Sequence, residues 1–235
     1  ANDASDARRG ADGPARVGPT RAVAAGLISP RAMWAAVLAA FALAAAAGLY
    51  LVVIAGWPVL AIGVAALLAA VAYTGGPRPY GYVGLGEAAV FVFFGLAAAV
   101  GARFVHDATA PAAAWLLAVP IGLTATAILV ANNVRDVDTD RAAGKRTLAV
   151  LLGRQGGCRL YAALVGGAFV ALALAAGLGA VPRWSLLGLL AAPLFVPVAA
   201  TLFRETSGPA LIRALRATAR LHALFGGLMA VGAAL

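Results

Sequence analysis

Charge is what this chain has least of. Asp, Glu, Lys and Arg make up 11% of its 235 residues, against 63% hydrophobic. Soluble domains carry about 25% charged residues, so an ordinary soluble domain is excluded. The single cysteine, Cys158, excludes an intrachain disulfide and reads as a packing residue. Of the two histidines, His106 reads as loop and His222 as a packed helix residue. Alternating polar and apolar positions are missing too, which removes a transmembrane barrel. The opening residues do not read as a signal peptide. Residue 1 is Ala, inside a polar motif, so we expect N-terminal helices to precede it in the intact protein.

Long apolar runs are abundant. Stretches near the ~20 residues that cross a bilayer fall at about 32–55, 57–73, 86–105, 112–131, 159–181, 184–203 and 217–235. The expected fold class is therefore all-α, a polytopic transmembrane helical bundle with seven spans, forming one domain over residues 1–235. Ser29-Pro30 reads as a helix start, and Gly56-Trp57-Pro58 as a tight turn between spans. Residues 74–86 hold two prolines and five glycines, which break any helix. The reading places loops at residues 131–158 and 204–216.

The net charge of +9 is a topology signal rather than a nucleic-acid one. With the N-terminal segment inside, sixteen of the eighteen basic residues fall on the cytoplasmic side, all but Arg103 and Arg183. The positive-inside rule then gives a multi-pass protein of the cytoplasmic membrane.

Acid is scarcer still and it is clustered. Six of the nine acidic residues lie in two patches, Asp3, Asp6 and Asp12 in one and Asp136, Asp138 and Asp140 in the other. Both patches sit on the cytoplasmic side of that topology. Carboxylates near a bilayer are costly, roughly 2.5–3.5 kcal/mol each at mid-membrane, so their concentration in two places points to use. If residues 132–140 continue the preceding helix, Asn132, Asp136 and Asp140 stack on one face while Asp138 points elsewhere. Asn2, Asp3 and Asp6 share a face by the same spacing. Oxygen ligands without His or Cys partners suit a hard cation such as Mg²⁺, which bridges carboxylates to substrate phosphates. Arg135, Arg141, Lys145 and Arg146 stand beside the second patch, and acid for metal with base for phosphate is the composition of a diphosphate site. The bland alternative is a solvated loop whose charges pair with one another.

The opening NDASDARRGAD, the loop YTGGPRPYGYVGLGE and the run NNVRDVDTDRAAGKRTLAVLLGR resemble the UbiA superfamily of intramembrane prenyltransferases. Within it they more closely resemble the MenA-type 1,4-dihydroxy-2-naphthoate polyprenyltransferases. The resemblance covers nearly the whole chain and implies nine helices, of which this sequence would carry seven. It also implies a mechanism: Mg²⁺ held by two Asp motifs against a polyprenyl diphosphate, ionisation, and alkylation of an aromatic ring by the allylic cation. The catalytic and metal-holding residues it implies are Asp3, Asp6, Asp136 and Asp140. Asn2, Asn132 and Asn133 take the motifs' leading polar positions, and Arg135 and Lys145 would neutralise the diphosphate. Asp12 matches a later acidic position, and the small Ala4 departs from the aromatic residue expected there.

Tyr73, Tyr80 and Tyr82, with Phe91, Phe93 and Phe94, could wall the cation by their ring faces, or simply pack or anchor at the interface. Glu87 could orient acceptor hydroxyls or take a proton, or merely pair with Arg78 or a helix N-terminus. Arg78 is the candidate contact for the acceptor's carboxylate. The expected partners are a polyprenyl diphosphate, 1,4-dihydroxy-2-naphthoate and membrane lipid, with no nucleic acid. Rival readings are another aromatic acceptor in the same superfamily and a secondary transporter, which would carry its polar groups nearer the midplane. A CDP-alcohol phosphotransferase would need a compact D-G-x-x-A-R motif that the chain lacks.

Overall fold

The computed structural model describes residues 1–9 and 17–235; Asp12 lies outside them. Among the described residues there is no β-strand. The helices are α1 (Asn2–Arg8), α2 (Pro30–Ala55) and α3 (Trp57–Ala72), then α4 (Gly86–Asp107) and α5 (Ala112–Arg135). After them come α6 (Val137–Ala142), α7 (Leu148–Gly177), α8 (Arg183–Arg204) and α9 (Gly208–Ala234). Five of these, α2, α4, α5, α7 and α8, are long and apolar enough to cross a membrane, and α3 is a shorter apolar helix of 16 residues. Helix α9 has 27 residues, with Arg213, Arg216 and Arg220 in its first half.

Local chemistry explains the boundaries. Ser29 caps α2, its hydroxyl accepting from the Ala32 N–H at 3.2 Å, with Pro30 as the first helical residue. Gly56 turns the chain into α3 at φ 83°, a backbone region that favours glycine. Thr147 caps α7 by accepting from Val150 N–H. Two expected loops are shorter than the sequence indicated. Helix α7 begins at Leu148 rather than near 159, and α9 at Gly208 rather than near 217. The extra turns carry Arg154, Arg213 and Arg216 and so fall outside an apolar run; in α7 they are set off from the rest of the helix by a kink at Gly153 (φ 72°, ψ 166°). Long basic side chains extend to the aqueous edge from such turns.

Helices α5, α7, α8 and α9 form the packed centre, where Tyr161, Leu172, Leu202, Leu221 and Phe225 are fully buried. Arg154 binds this centre at one end: its guanidinium donates to the carbonyls of Val134, Leu202 and Glu205, meeting the free C-terminal acceptors of α5 and α8. Helix α4 leans on α5. Its middle, Phe91–Ala97, is wound as a π-helix, and there Gly95 lies directly against Gly122. The α2–α3 hairpin is peripheral; α3 buries no residue within the protein.

Candidate active site

Helix α5 ends at Arg135 because the backbone turns out of helix at Asp136 (φ −96°, ψ 9°) before α6 begins. The second acidic patch therefore does not lie on one unbroken helix. Two backbone hydrogen bonds carry the chain through the break, Asp136 N–H to the Asn132 carbonyl at 3.1 Å and Asp140 N–H to the Asp136 carbonyl at 2.8 Å, and Asn132, Asp136 and Asp140 line a common cavity. Asp138 is exposed and pairs with Arg141 at 3.1 Å.

That cavity, of about 210 Å³, is polar and gathers residues from distant parts of the chain. Its lining includes Asn2 and Asp6 from α1, Tyr73 and Tyr82 beside and within the tyrosine loop, and Asn132, Asn133, Asp136, Asp140 and Lys145. Lys145 joins the two patches: its Nζ lies 3.1 Å from Asp6 and 3.8 Å from Asp140. It also stands 4.8 Å from the centre of the Tyr82 ring, whose hydroxyl donates to Asp6 at 2.8 Å. Asp136 is held by Arg135 through Nε at 2.7 Å and an Nη at 2.5 Å, and the same guanidinium donates to Asn132 Oδ1 at 2.9 Å. Both members of the Arg135–Asp136 pair are buried, the setting in which an ion pair must be fully hydrogen-bonded to persist.

The remaining candidates are placed differently. Asp3 does not line this cavity; its two oxygens accept from the backbone N–H groups of Ala22 and Val23 at 3.1 and 3.2 Å. Glu87 is buried in the first turn of α4 and accepts from Asn133 Nδ2 at 2.9 Å, so its partner is neither Arg78 nor a helix N-terminus alone. Arg78 is exposed in the loop and lines neither this cavity nor the one described next. Ala4 is 1% exposed, so this small side chain sits in a tight site. Sequence reasoning missed Thr74, whose hydroxyl donates to Asn2 Oδ1 at 3.1 Å, and Thr147 and Arg21, which line the cavity. Only Thr147 carried a signal, as a capping residue before an apolar run.

A second cavity of about 900 Å³ opens beside the first. It runs between α2, α3 and α4 over Phe41, Ile62, Ala66, Ala69, Phe93 and Phe94, with Tyr80 near its mouth. Asn2, Arg21 and Tyr73 line both cavities, which makes Tyr73 a hinge between a charged chamber and an apolar one. Tyr73 stacks edge-on against Tyr80 with ring centres 5.3 Å apart. Burial, reinforced by the nearby carboxylates, pushes the Tyr73 phenol up to about 12, and burial raises Tyr80 as well. Tyr73 thus stays a protonated donor at neutral pH. Phe91 packs on Gly122.

Among the described residues no three His, Cys, Asp or Glu side chains form a ready-made metal cage. The donor set is nonetheless all oxygen, and the Lys145 ammonium already stands as a cation between carboxylates of both patches. Mg²⁺ is characteristically held by one or two carboxylates plus substrate phosphates rather than by a full protein cage. The residues present fit that cation.

Comparison with known proteins adds a lineage. A model of the UbiA prenyltransferase family matches residues 1–225. The chain is 39% identical over 226 residues to the 1,4-dihydroxy-2-naphthoate octaprenyltransferase of Escherichia coli, covering 94% of this chain and 73% of that one. The protein of the same name from Mycobacterium tuberculosis is 41% identical over 93% of this chain and 73% of its own. That from Bacillus subtilis is 27% identical over 98% and 74%. No solved structure gives a significant match.

Proposed function

The chain belongs to the UbiA prenyltransferase family, and from that membership we propose that it transfers a polyprenyl group from its diphosphate to 1,4-dihydroxy-2-naphthoate. The product, after loss of diphosphate and CO₂, is the prenylated dihydroxynaphthalene, the reduced (hydroquinone) form of demethylmenaquinone. The observation that carries the reading is Lys145 between Asp6 and Asp140, two acidic motifs far apart in sequence meeting at one polar cavity that abuts an apolar one. The relatives' names support the naphthoate as acceptor.

In this reading the diphosphate enters the polar chamber and the isoprenoid tail lies in the apolar one, with the reacting allylic carbon near Tyr73. Asp6, Asp136 and Asp140 would hold Mg²⁺, with Asn2 and Asn132 adding neutral oxygens. When bound, the cation supplies Lewis-acid neutralisation of the charge that grows on the departing diphosphate. Lys145 and Arg135 turn from their carboxylates toward the phosphate oxygens and share that charge. Asp3 fastens the 21–23 segment to α1. The aromatic edges of Tyr73 and Tyr80 keep water from the allylic cation until the ring attacks. The ring carbon bearing the carboxylate forms the new bond and CO₂ leaves. In this reading α2, α3, α4, α5, α7, α8 and α9 cross the cytoplasmic membrane, with the polar chamber facing the cytoplasm, a reading supported by the distribution of the basic residues.

The test offers the purified protein Mg²⁺, a polyprenyl diphosphate, and 1,4-dihydroxy-2-naphthoate, 4-hydroxybenzoate or homogentisate in turn. Prenylation of the naphthoate alone, with release of CO₂, is expected; a product from another acid alone would overturn the assignment. Asp136→Ala and Asp140→Ala should each lower turnover by about a hundredfold or more while inserting normally into membranes.

A further inference from the structure

Glu87 is buried, 5% exposed, and lines neither cavity, yet it is bonded to Asn133, which does. We infer that Glu87 is a positioning residue that fixes which end of the Asn133 carboxamide faces the polar chamber, and that the Asn133 carbonyl oxygen so presented accepts a hydrogen bond from a hydroxyl of the phenolic acceptor. The inference rests on the proposed reaction and goes further by assigning the contact that orients the ring.

A side-chain amide is a donor at one end and an acceptor at the other. Glu87, in the first turn of α4, presents its Oε1 to Asn133 as a hydrogen-bond acceptor. Asn133 must therefore turn its NH₂ toward Glu87, which it does at 2.9 Å. Its Oδ1 is left with no hydrogen bond among the described residues.

The position of that oxygen selects its ligand. Asn133 lies three residues before Asp136 and four after Leu129, and all three line the same chamber. On a helix this puts Asn133 one turn further along than Asp136, away from the break and toward apolar Leu129. A diphosphate oxygen has no proton to give and repels a carbonyl oxygen. A ring hydroxyl does have one. An aromatic ring approaching the allylic carbon from the chamber meets Asn133 and the protonated Tyr73 hydroxyl, an acceptor and a donor. Without Glu87 the amide could reverse and offer NH₂ instead.

The test compares Glu87→Leu, Asn133→Leu, the double variant and Glu87→Gln in the purified protein. Each is assayed for KM toward the naphthoate and toward the polyprenyl diphosphate, and for Mn²⁺ affinity by paramagnetic resonance. Asn133→Leu should raise the naphthoate KM by about tenfold, the scale of one lost hydrogen bond. The diphosphate KM and Mn²⁺ affinity should stay within about twofold. Because Glu87 acts through Asn133, the double variant should cost no more than Asn133→Leu alone. Glu87→Gln keeps a carbonyl acceptor and should recover most of the wild-type KM. If Glu87→Leu fails to fold, the double variant, which leaves neither partner unpaired, carries the comparison with Asn133→Leu and Glu87→Gln.

Effects of Glu87 and Asn133 that multiply, or that fall on the diphosphate KM, overturn the inference alone. A loss of Mn²⁺ affinity in Asn133→Leu makes that oxygen a metal ligand and overturns it too. Wild-type protein that prenylates no aromatic hydroxy acid overturns the reaction and the inference together.

Discussion

Tyr73 is where the two halves of the site touch, and its chemistry is decided by burial. With its phenol pushed up to about 12, the folded protein keeps Tyr73 neutral between pH 10 and 12, while the unfolded chain releases that proton near pH 10. The native state then binds more protons than the unfolded one, so stability supplied by the neutral phenol is complete below pH 10 and drains away as pH rises through about 12. A difference titration of wild type against Tyr73→Phe by phenolate absorbance should show the missing signal near pH 12; a signal near pH 10 would place this ring in water. The sequence could nominate Tyr73 but not this role, because the groups that raise its pKa come from α4, α6 and α1. The same limit explains Asp3 and Glu87. Spacing put Asp3 beside Asp6, but its amide partners lie 19 and 20 residues away. The Asn133 partner of Glu87 lies 46 residues away. Asp136 and Asp140 were legible since their partnership is local.

Helix positions followed from apolar run length, and helix starts did not where the chain winds before the apolar run begins, as around Arg154 in α7 and Arg213 and Arg216 in α9. The π-wound middle of α4 was also invisible, being a matter of packing. There Gly95 meets the backbone of Gly122 so closely that a side chain on Gly95 would overlap the Gly122 Cα. The contact holds α4 against α5 and thereby holds Glu87 against Asn133. Gly95→Ala should therefore destabilise by about 1–3 kcal/mol, the usual cost of overpacking. Gly101→Ala is the control, since a Cβ there meets nothing nearer than Ile62 at 4.0 Å. Chemical unfolding in detergent measures both, and equal midpoints would mean that α4 and α5 are free to part. The break at Asp136 follows a related logic. Had α5 continued straight, the Lys145 segment would have been carried away from α1, whereas the turn brings Lys145 back to Asp6.

Taken together, the helices divide the labour between a rigid centre and a looser wall. Helices α5, α7, α8 and α9 bury the large side chains, while α2 and α3 keep most of theirs on the outside. The apolar cavity lies between that wall and α4, lined chiefly by alanine and phenylalanine, so its bore is set by small side chains that a substitution can enlarge. Ala66 lines it seven residues before Tyr73 on α3, about 10 Å deeper along the helix axis. A phenylalanine there would meet the body of a long isoprenoid but not a dimethylallyl group, which ends near the chamber mouth. Ala66→Phe should accordingly lower kcat/KM for a long polyprenyl diphosphate by about tenfold, the worth of a few displaced methylenes. The value for dimethylallyl diphosphate should stay within about twofold. Equal losses for both donors would show that the tail runs elsewhere, along the lipid-facing surface of the bundle, and would separate the apolar chamber from the chemistry at Lys145.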